Sequence, residues 1–318
     1  MTSPTLIVGA GLAGLIAGYA FPGVPLVEAL PRAAAPHRAL LRFRSDAVSR
    51  LTGIPFRKVR VHKGIWSAGA FRAPNPRLAN LYARKCLDRV VGDRSIWNLD
   101  PVDRWVGPES LIEQMTEALA PRISFGTEFG AVDWFVHRRA HPDAAAISTA
   151  PLSWALGALE ISPTQVPTLA RAPIWTRRYR VPGADAHQTV YFPDHVLATY
   201  RASLTGDLLI VELRNGIQVG LDEEMGEVCE ALGLRAGMIE PLECTEQRYG
   251  KIVPLPDDER RGLLARLTIE AGIYSLGRFA TWRNVLLDDV VADCDVIRRM
   301  LRSGAATNFA ALRGSAGR

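Results

Sequence analysis

Short apolar runs alternate with longer, mostly apolar stretches at the start of this chain. Residues 5–8 are apolar apart from one threonine and lead into a glycine. Residues 12–20 are almost entirely apolar or small, and residues 24–27 are apolar again before Glu28. A buried strand, a helix and a second buried strand in this order are typical of a βαβ unit in a parallel sheet. The chain is therefore predicted to open on an α/β domain.

The middle of the chain has a different pattern, in which apolar and polar residues alternate. Three strand candidates between residues 189 and 213 alternate in this way, which predicts an antiparallel sheet. Helical spacing predicts helices over residues 38–52 and 287–301, whereas residues 131–135 are predicted to form a short strand. We therefore expect a strand-rich part inserted into the α/β domain.

The turn after the first strand reads Gly9-x-Gly11-x-x-Gly14, the spacing of a dinucleotide-binding fingerprint. The first glycine lets the chain turn, the second lets a pyrophosphate approach the backbone, and the third lets helix and strand pack closely. The helix N-terminus would favour the pyrophosphate charge, and an acid about 20 residues further on accepts hydrogen bonds from a ribose. The residues predicted to line the dinucleotide are Gly9, Gly11, Leu12, Ala13, Gly14 and Glu28.

Composition favours a globular protein in a reducing compartment. The 318 residues are 48% hydrophobic, and we find no apolar run long enough for a membrane span. The first strand begins without a charged leader, so no signal peptide is expected. The four cysteines and six histidines lack the spacing of disulfide or metal motifs. The expectation is a cytoplasmic protein without a metal centre.

Positive charge is concentrated between Arg38 and Arg94. This segment has fourteen lysines and arginines against three aspartates, while the whole chain has a net charge of only +5. One interpretation is a set of solvated faces plus a few arginines on cofactor phosphates. The other is a surface for a polyanionic substrate, including nucleic acid, because aromatic residues are interleaved with the cations.

A second motif lies near the C-terminus. Residues 271–284 read Ala-Gly-Ile-Tyr-Ser-Leu-Gly-Arg-Phe-Ala-Thr-Trp-Arg-Asn and precede a helix with an acidic start. This segment resembles the one with which FAD-dependent amine oxidases and UDP-galactopyranose mutases return to their flavin. Residues 143–152, which contain Ile-Ser-Thr-Ala-Pro, resemble the strand in which those families cross back over the cofactor. The resemblance implies an α/β fold: a Rossmann-like FAD-binding domain with a smaller, strand-rich substrate domain.

The resemblance also implies how the chain is divided. FAD would be the cofactor of a discontinuous domain, whose segments are residues 1–55, 105–158 and 243–303. The substrate side would consist of residues 56–104 and 159–242. Residues 304–318, rich in glycine, alanine and serine, would form a disordered tail.

Individual site residues follow from the same resemblance. Gly277 and Arg278 would lie against the pyrophosphate or ribityl chain, and the helix after Asn284 would point its N-terminus at the isoalloxazine. The families place a glycine-rich segment after the ribose acid, which this chain lacks. The arginines expected to replace its phosphate contacts are Arg38, Arg42 or Arg44.

On the substrate side, Arg201 lies in a run, residues 197–203, that resembles the strand facing the flavin in both families. A guanidinium is suited to hold a carboxylate or phosphate through two parallel hydrogen bonds. The other candidate catalytic residues are Tyr249, Tyr274 and Trp282.

Three functions remain open at this point. The first is an amine-oxidase-type oxidoreductase acting on a C–N bond of an anionic substrate. The compact size of the chain and its basic segment suggest similarity to viral flavin-dependent lyases of thymidine hypermodification. Such an enzyme would oxidise an amino acid attached to a DNA base to an imine, and water would then hydrolyse the imine. The second is a sugar-nucleotide mutase similar to UDP-galactopyranose mutase, and the third is a non-catalytic FAD-binding protein.

Overall fold

The computed structural model describes residues 4–32, 41–90, 96–159, 166–214 and 221–304. The helices are α1 (Leu12–Ala20), α2 (Ala47–Thr52), α3 (Pro76–Leu87), α4 (Leu111–Leu119), α5 (Ala131–Ala140), α6 (Leu152–Leu156), α7 (Leu221–Leu232), α8 (Asp257–Ala271) and α9 (Leu287–Ser303). The first seven strands are β1 (Leu6–Val8), β2 (Leu26–Glu28), β3 (Arg57–Ser67), β4 (Ala70–Phe71), β5 (Val102–Val106), β6 (Ile123–Phe125) and β7 (Ala146–Ser148). The remaining strands are β8 (Arg171–Arg180), β9 (Ala186–Tyr191), β10 (Thr199–Gly206), β11 (Leu208–Leu213), β12 (Glu240–Ile252) and β13 (Ile273–Ser275).

Five short strands form a parallel sheet in the order β13-β7-β1-β2-β6. The central residues of β1, β7 and β13 are buried, as expected for parallel strands covered by helices. One hydrophobic cluster packs the sheet against α1, α4 and α9, and a second packs it against α5, α6 and α8. The result is a doubly wound domain in which β1, β7 and β13 end at a common edge, directly before the fingerprint and the C-terminal motif.

The second sheet is mainly antiparallel, in the order β12-β8-β11-β10-β9-β3-β4, with β5 paired to β3. One face packs against α7 through Val211 and Val228. The opposite face carries Lys63, Thr189 and Arg201, and α3 covers part of it through Tyr82. We call this opposite face the inward face. The predicted α/β fold with a separate strand-rich part is confirmed.

Some boundaries differ from the sequence prediction. Residues 131–135 are helical, because the amide of Gly130 donates to Asp133 Oδ2 at 2.7 Å and caps α5. Only Trp134 of that helix is fully buried, and its exposed valines gave the segment a strand-like pattern. In the predicted helix over residues 38–52, Phe43 instead forms a bridge with Trp105 and only α2 is helical in the described part.

The predicted domain boundaries also shift. Strand β12 continues the antiparallel sheet to Ile252, inside a segment assigned to the FAD-binding domain. Strand β5 straddles the predicted boundary at residue 105 and pairs with β3 of the substrate side. The predicted tail, residues 304–318, lies outside the described residues except for Gly304, where α9 ends. None of the described helices has both the length and the hydropathy of a membrane span.

A buried lysine fixes the connection between β9 and β10. Lys85 of α3 is 5% exposed, and its Nζ donates to the carbonyls of Phe192, Asp194 and Thr199 at 2.6–2.8 Å. We expect Lys85→Met to lower the free energy of unfolding by about 2–3 kcal/mol, because it leaves buried carbonyls without a donor. Urea denaturation measures this, with Arg84→Met on the exposed side of α3 as the control. A loss equal to that of the control would contradict this role for Lys85.

Candidate cofactor site and the sheet face beside it

The three glycines of the fingerprint have distinct surroundings. Gly9 has a φ of +93°, which favours glycine, and a Cβ on Gly14 would lie 1.9 Å from the carbonyl oxygen of Gly9. A Cβ on Gly11, in contrast, would have no atom within 4 Å. Gly9 and Gly14 therefore shape the turn, whereas Gly11 borders open space where a ligand can approach the backbone.

Glu28 is anchored beside this turn. Its Oε2 accepts from the amide of Ala10 at 2.7 Å, and its Oε1 accepts from the amide of Leu30 at 3.0 Å. The carboxylate is partly exposed, and each oxygen can accept a second hydrogen bond. Glu28 is thus held at the end of β2 in a position to accept from ribose hydroxyls.

The C-terminal motif packs directly on the fingerprint. Gly277 has a φ of +86°, and a Cβ there would lie 2.7 Å from Cβ of Ala13 in the first turn of α1. Thr149, which follows β7, contacts the same turn: its Oγ1 lies 3.0 Å from the carbonyl oxygen of Val8 and 3.1 Å from that of Gly9, and its proton is shared between the two acceptors. Three segments far apart in sequence therefore meet at one edge of the parallel sheet. The contribution of Thr149 was missed, although the Ile-Ser-Thr-Ala-Pro phrase contains it.

Two hydroxyls near this edge have no protein partner. The Oγ atoms of Ser148 and Ser275, which occupy neighbouring positions on β7 and β13, are buried and make no hydrogen bond with described residues. Buried polar atoms in folded proteins nearly always have a partner. The open space at Gly11, the anchored carboxylate of Glu28 and the glycine contact at Gly277 together fit an adenine dinucleotide.

Arg278 connects this edge to the antiparallel sheet. Its Nη2 donates to the carbonyl of Gly250 at 3.2 Å. The next residue, Lys251, is buried with its Nζ 4.3 Å from the centre of the Tyr200 ring. Through Arg278 and Gly250, the C-terminal motif therefore lies next to the charged and aromatic groups of β12 and β10.

The predicted catalytic residue Arg201 forms a buried ion pair on β10. Its Nη2 donates to Glu212 Oε1 at 2.7 Å, its Nε donates to Glu212 Oε2, and the hydroxyl of Tyr200 donates to Oε1 at 3.2 Å. A bulge in the register between Thr199 and Arg201 places Tyr200 and Arg201 beside the same carboxylate. The sequence did not indicate Glu212 as this partner.

The ion pair keeps both partners charged. Burial favours a lower pKa for Arg201, but Glu212 raises that pKa well above its ordinary value. Burial likewise favours a higher pKa for Glu212, and Arg201 lowers it. Burial and the charge of Glu212 raise the pKa of the Tyr200 hydroxyl well above 10. Tyr200 is therefore protonated at neutral pH and acts as a donor.

The other candidate catalytic residues are mostly core residues. Tyr274 is 5% exposed and belongs to the cluster that packs on α1 and α9, and burial raises its pKa. Trp282 is 1% exposed and belongs to the second cluster, with a φ of +46°. Tyr249 is partly buried, with the Arg171 guanidinium 4.1 Å from its ring centre. Tyr274 and Trp282 thus pack in the two hydrophobic clusters beside the parallel sheet, and their catalytic roles stay predictions.

The predicted phosphate arginines have other partners. Arg44 pairs with Asp289 at 2.8 Å beside the N-terminus of α9, where Asp288 also accepts from the Arg44 amide. The half-buried Arg42 reaches the antiparallel sheet, and Arg38 lies outside the described residues. Asn284 is exposed, and α9 begins with two aspartates that already complement its N-terminal dipole.

Within the described part of the chain, five cations of the basic segment pair with nearby carboxylates. Its ion pairs are Arg44 with Asp289, Arg50 with Asp46, Arg57 with Asp185, and Lys58 and Arg60 with Asp103. Lys85 is buried. The expectation of a nucleic-acid partner stays a prediction, with fewer free cations than the sequence indicated.

No protein-family model and no curated protein matches this chain. Among solved structures, it is similar to reduced UDP-galactopyranose mutase, with a TM-score of 0.61 and 16% identity over 95% of this chain and 94% of that one. It is also similar to RebC-10x, solved native and bound to K252c, with a TM-score of 0.51 and 12% identity over 95% of this chain and 61% of that one. The chain thus shares the fold of these proteins.

Proposed function

We propose that this protein binds FAD at the edge formed by β1, β7 and β13 and works as a flavin-dependent enzyme. The observation that carries the proposal is the meeting of three separate segments around the open space at Gly11. Gly9 and Gly14 shape the turn, Glu28 is anchored beside it, and Gly277 packs against the first turn of α1. The shared fold supports the same conclusion.

Each group would have a defined role. The first amides of α1 and the backbone at Gly11 would hold the pyrophosphate, and Glu28 would accept from the ribose. Gly277 and Arg278 would lie along the flavin half of the cofactor. When bound, FAD supplies the capacity to accept a hydride or, once reduced, to act as a nucleophile. The protein supplies binding, orientation and charge.

For the reaction, we propose oxidation of a C–N bond in an anionic substrate to an imine, with the hydride passing to FAD and a proton to solvent. Water would then hydrolyse the imine to an amine and a carbonyl compound, so that the C–N bond is cleaved as in a net lyase outcome. The inward face supports an anionic substrate that also has apolar surface. Its partly exposed groups include the Tyr191 ring and the Arg201 guanidinium, and buried Tyr200 and Lys251 lie behind them. An amino-acid-modified thymidine in DNA is one such substrate and is tested together with simpler amines.

The test is the anaerobic visible spectrum of the FAD-loaded protein during addition of candidate substrates. The panel contains free amino acids, single-stranded DNA with an N-linked amino acid on thymidine, and the same DNA without it. Bleaching of the oxidised flavin by an amine, with the unmodified DNA inert, is the expected result. Flavin bands that stay intact with every amine would exclude C–N oxidation as the reaction of this protein.

A mutase on a sugar nucleotide is the second candidate, because the chain shares the fold of reduced UDP-galactopyranose mutase across 95% of its length. This reaction needs reduced flavin and causes no net redox change. Conversion of a UDP-sugar to its ring isomer by the dithionite-reduced protein, and not by the oxidised protein, would favour it over C–N oxidation.

Arg278→Ala tests the C-terminal motif. We expect weaker FAD retention or slower flavin reduction, because the substitution removes a cation beside the flavin half of the site. The loss of the hydrogen bond to Gly250 lowers the free energy of unfolding by only about 1 kcal/mol. FAD content per protein and stopped-flow reduction are measured, with exposed Arg261→Ala on α8 as the control. Unchanged values for both variants would remove Arg278 from the site.

A further inference from the structure

Cations collect on the inward face at the end away from Lys251. Lys63 of β3 lies opposite Thr189, which in turn lies opposite Ser203 of β10. Arg104 of β5 lies opposite Val59, four residues before Lys63. Because side chains alternate along a strand, Arg104 and Lys63 share the inward face. Both are partly exposed, so this end of the face is open to solvent.

Arg42 is fixed in the same region. Its Nε donates to Thr205 Oγ1 at 2.8 Å, and its Nη1 donates to Thr189 Oγ1 at 2.7 Å. Its Nη2 donates to the carbonyls of Gln188 and Leu204. Within the described residues, none of the hydrogen bonds of Arg42 goes to a carboxylate. Its charge is therefore held rigidly in place without a paired anion.

His187 adds an unused donor beside Arg42. Its Nε2 lies 3.2 Å from Arg57 Nη2 and 3.5 Å from Asp185 Oδ1, and in the tautomer in which Nε2 accepts from Arg57 the ring proton is on Nδ1. This Nδ1 is buried and has no partner in the described part of the chain, and the side chain is only 10% exposed. A buried ring nitrogen without a partner is uncommon in folded proteins, so this group can still take part in a hydrogen bond if the side chain shifts toward a bound anion.

Burial and neighbouring positive charges lower the pKa values of the basic groups in this cluster. Burial, together with Arg201 and Arg104, lowers the pKa of Arg42 to about 10. Burial and Arg104 lower the pKa of Lys63, with Asp100 opposing the shift, and burial, Arg57 and Arg42 lower the pKa of His187. A bound anion would relieve this repulsion.

We propose that Lys63 and Arg104, backed by Arg42 and His187, bind a carboxylate or phosphate group of the substrate. This inference rests on the proposed function, because it places the reacting part of the substrate toward Arg201 and Arg278. Lys63 and Arg201 lie two strands apart, about 10 Å across the sheet. The substrate is therefore an elongated anion with its charged group remote from the reacting bond.

The geometry leaves donors available for this group. Lys63 Nζ donates to the carbonyl of Asn98 at 2.8 Å, which uses one of its three protons. Arg104 Nη1 donates to the carbonyl of Asp103 at 2.8 Å, which leaves the other side of the guanidinium. An oxyanion between the two side chains would receive charge-assisted hydrogen bonds from both.

Isothermal titration of the FAD-loaded protein with inorganic pyrophosphate, and separately with succinate, tests the site at physiological salt. Pyrophosphate represents a phosphate group and succinate a carboxylate, so the tighter probe identifies the anion. We expect saturable one-site binding that weakens about tenfold in Lys63→Gln and again in Arg104→Gln. The control, Arg84→Gln, changes an exposed cation on α3 and should bind like the wild type. FAD content and melting temperature are measured for every variant.

Two results would overturn the proposal: wild-type protein that binds neither probe, or Lys63→Gln and Arg104→Gln proteins that bind as the wild type does. Failure of the proposed function looks different, because the purified protein would then take up no FAD. In that case the same titration of the apoprotein still compares Lys63→Gln with Arg84→Gln and decides whether the anion site exists.

Discussion

Gly11→Val is expected to yield a folded protein without FAD. Gly11 has a φ of −66° with an extended ψ of −179°, a conformation open to any residue, and its Cβ would meet no atom within 4 Å. The apoprotein should therefore keep its melting temperature. A branched side chain would nevertheless occupy the space where the pyrophosphate approaches the backbone, so FAD content per protein should fall to near zero.

Gly14→Ala provides the contrast. A Cβ there would lie 1.9 Å from the carbonyl oxygen of Gly9 and 2.8 Å from its carbonyl carbon, so strand and helix must separate. This variant should lose stability as well as FAD, and its apoprotein should melt at a lower temperature. A Gly11→Val protein with stoichiometric FAD would show that the pyrophosphate does not lie at this turn.

The second large effect is expected for Arg201→Met. Glu212 is 3% exposed, so its carboxylate is buried. Without Arg201, the Tyr200 hydroxyl would be the remaining hydrogen-bond donor to this carboxylate among the described contacts. We expect the free energy of unfolding to fall by about 3 kcal/mol at neutral pH, because the buried carboxylate loses its direct ion pair and keeps only the more distant charge of Lys251. Urea denaturation measures this loss.

The double variant Arg201→Met/Glu212→Leu should recover part of the stability, because the unpaired carboxylate is removed and buried Lys251 keeps its contact with the Tyr200 ring. Its flavin chemistry should stay impaired, since the substrate-facing cation is missing. The exposed pair of Arg266 and Glu270 on α8 is the matched control, and breaking it should cost only about 0.5 kcal/mol. Equal losses for the two pairs would contradict a special role for Arg201 and Glu212.

The same pair predicts the direction of the acid response. Arg201 lowers the pKa of Glu212 in the folded protein, so the pair stabilises the fold above the ordinary glutamate pKa. That stabilisation is lost as pH falls through the lowered folded pKa. Acid unfolding of the double variant should therefore lack this contribution.

The sequence predicted the parts of the site that depend on local backbone chemistry. The glycine spacing assigned distinct roles to Gly9, Gly11 and Gly14. The structure shows the matching features, which are the positive φ of Gly9, the open space at Gly11 and the close contact at Gly14. Gly277, predicted to lie against the pyrophosphate or ribityl chain, packs against Ala13 because its motif follows the last parallel strand, and its contact with the cofactor stays a prediction. In each case, the glycine that permits the turn lies in the same short segment as the turn itself, so local sequence is enough to predict it.

The remaining site depends on contacts between distant segments, which composition does not encode. Arg44 meets Asp289, 245 positions away, and Arg42 meets Thr189, 147 positions away. Tyr274 and Trp282 lie within the C-terminal motif, but in the folded chain their side chains point into the two hydrophobic clusters on either side of the parallel sheet. Charge counts along the sequence therefore exaggerated the basic surface and did not indicate Glu212.

The most direct test of the account is a titration of the apoprotein with FAD, followed by flavin fluorescence and by the visible spectrum. We expect saturable binding of one FAD per chain, with altered fluorescence and flavin bands that remain with the protein on gel filtration. Fluorescence that stays equal to that of free FAD, with all the colour eluting apart from the protein, would contradict it.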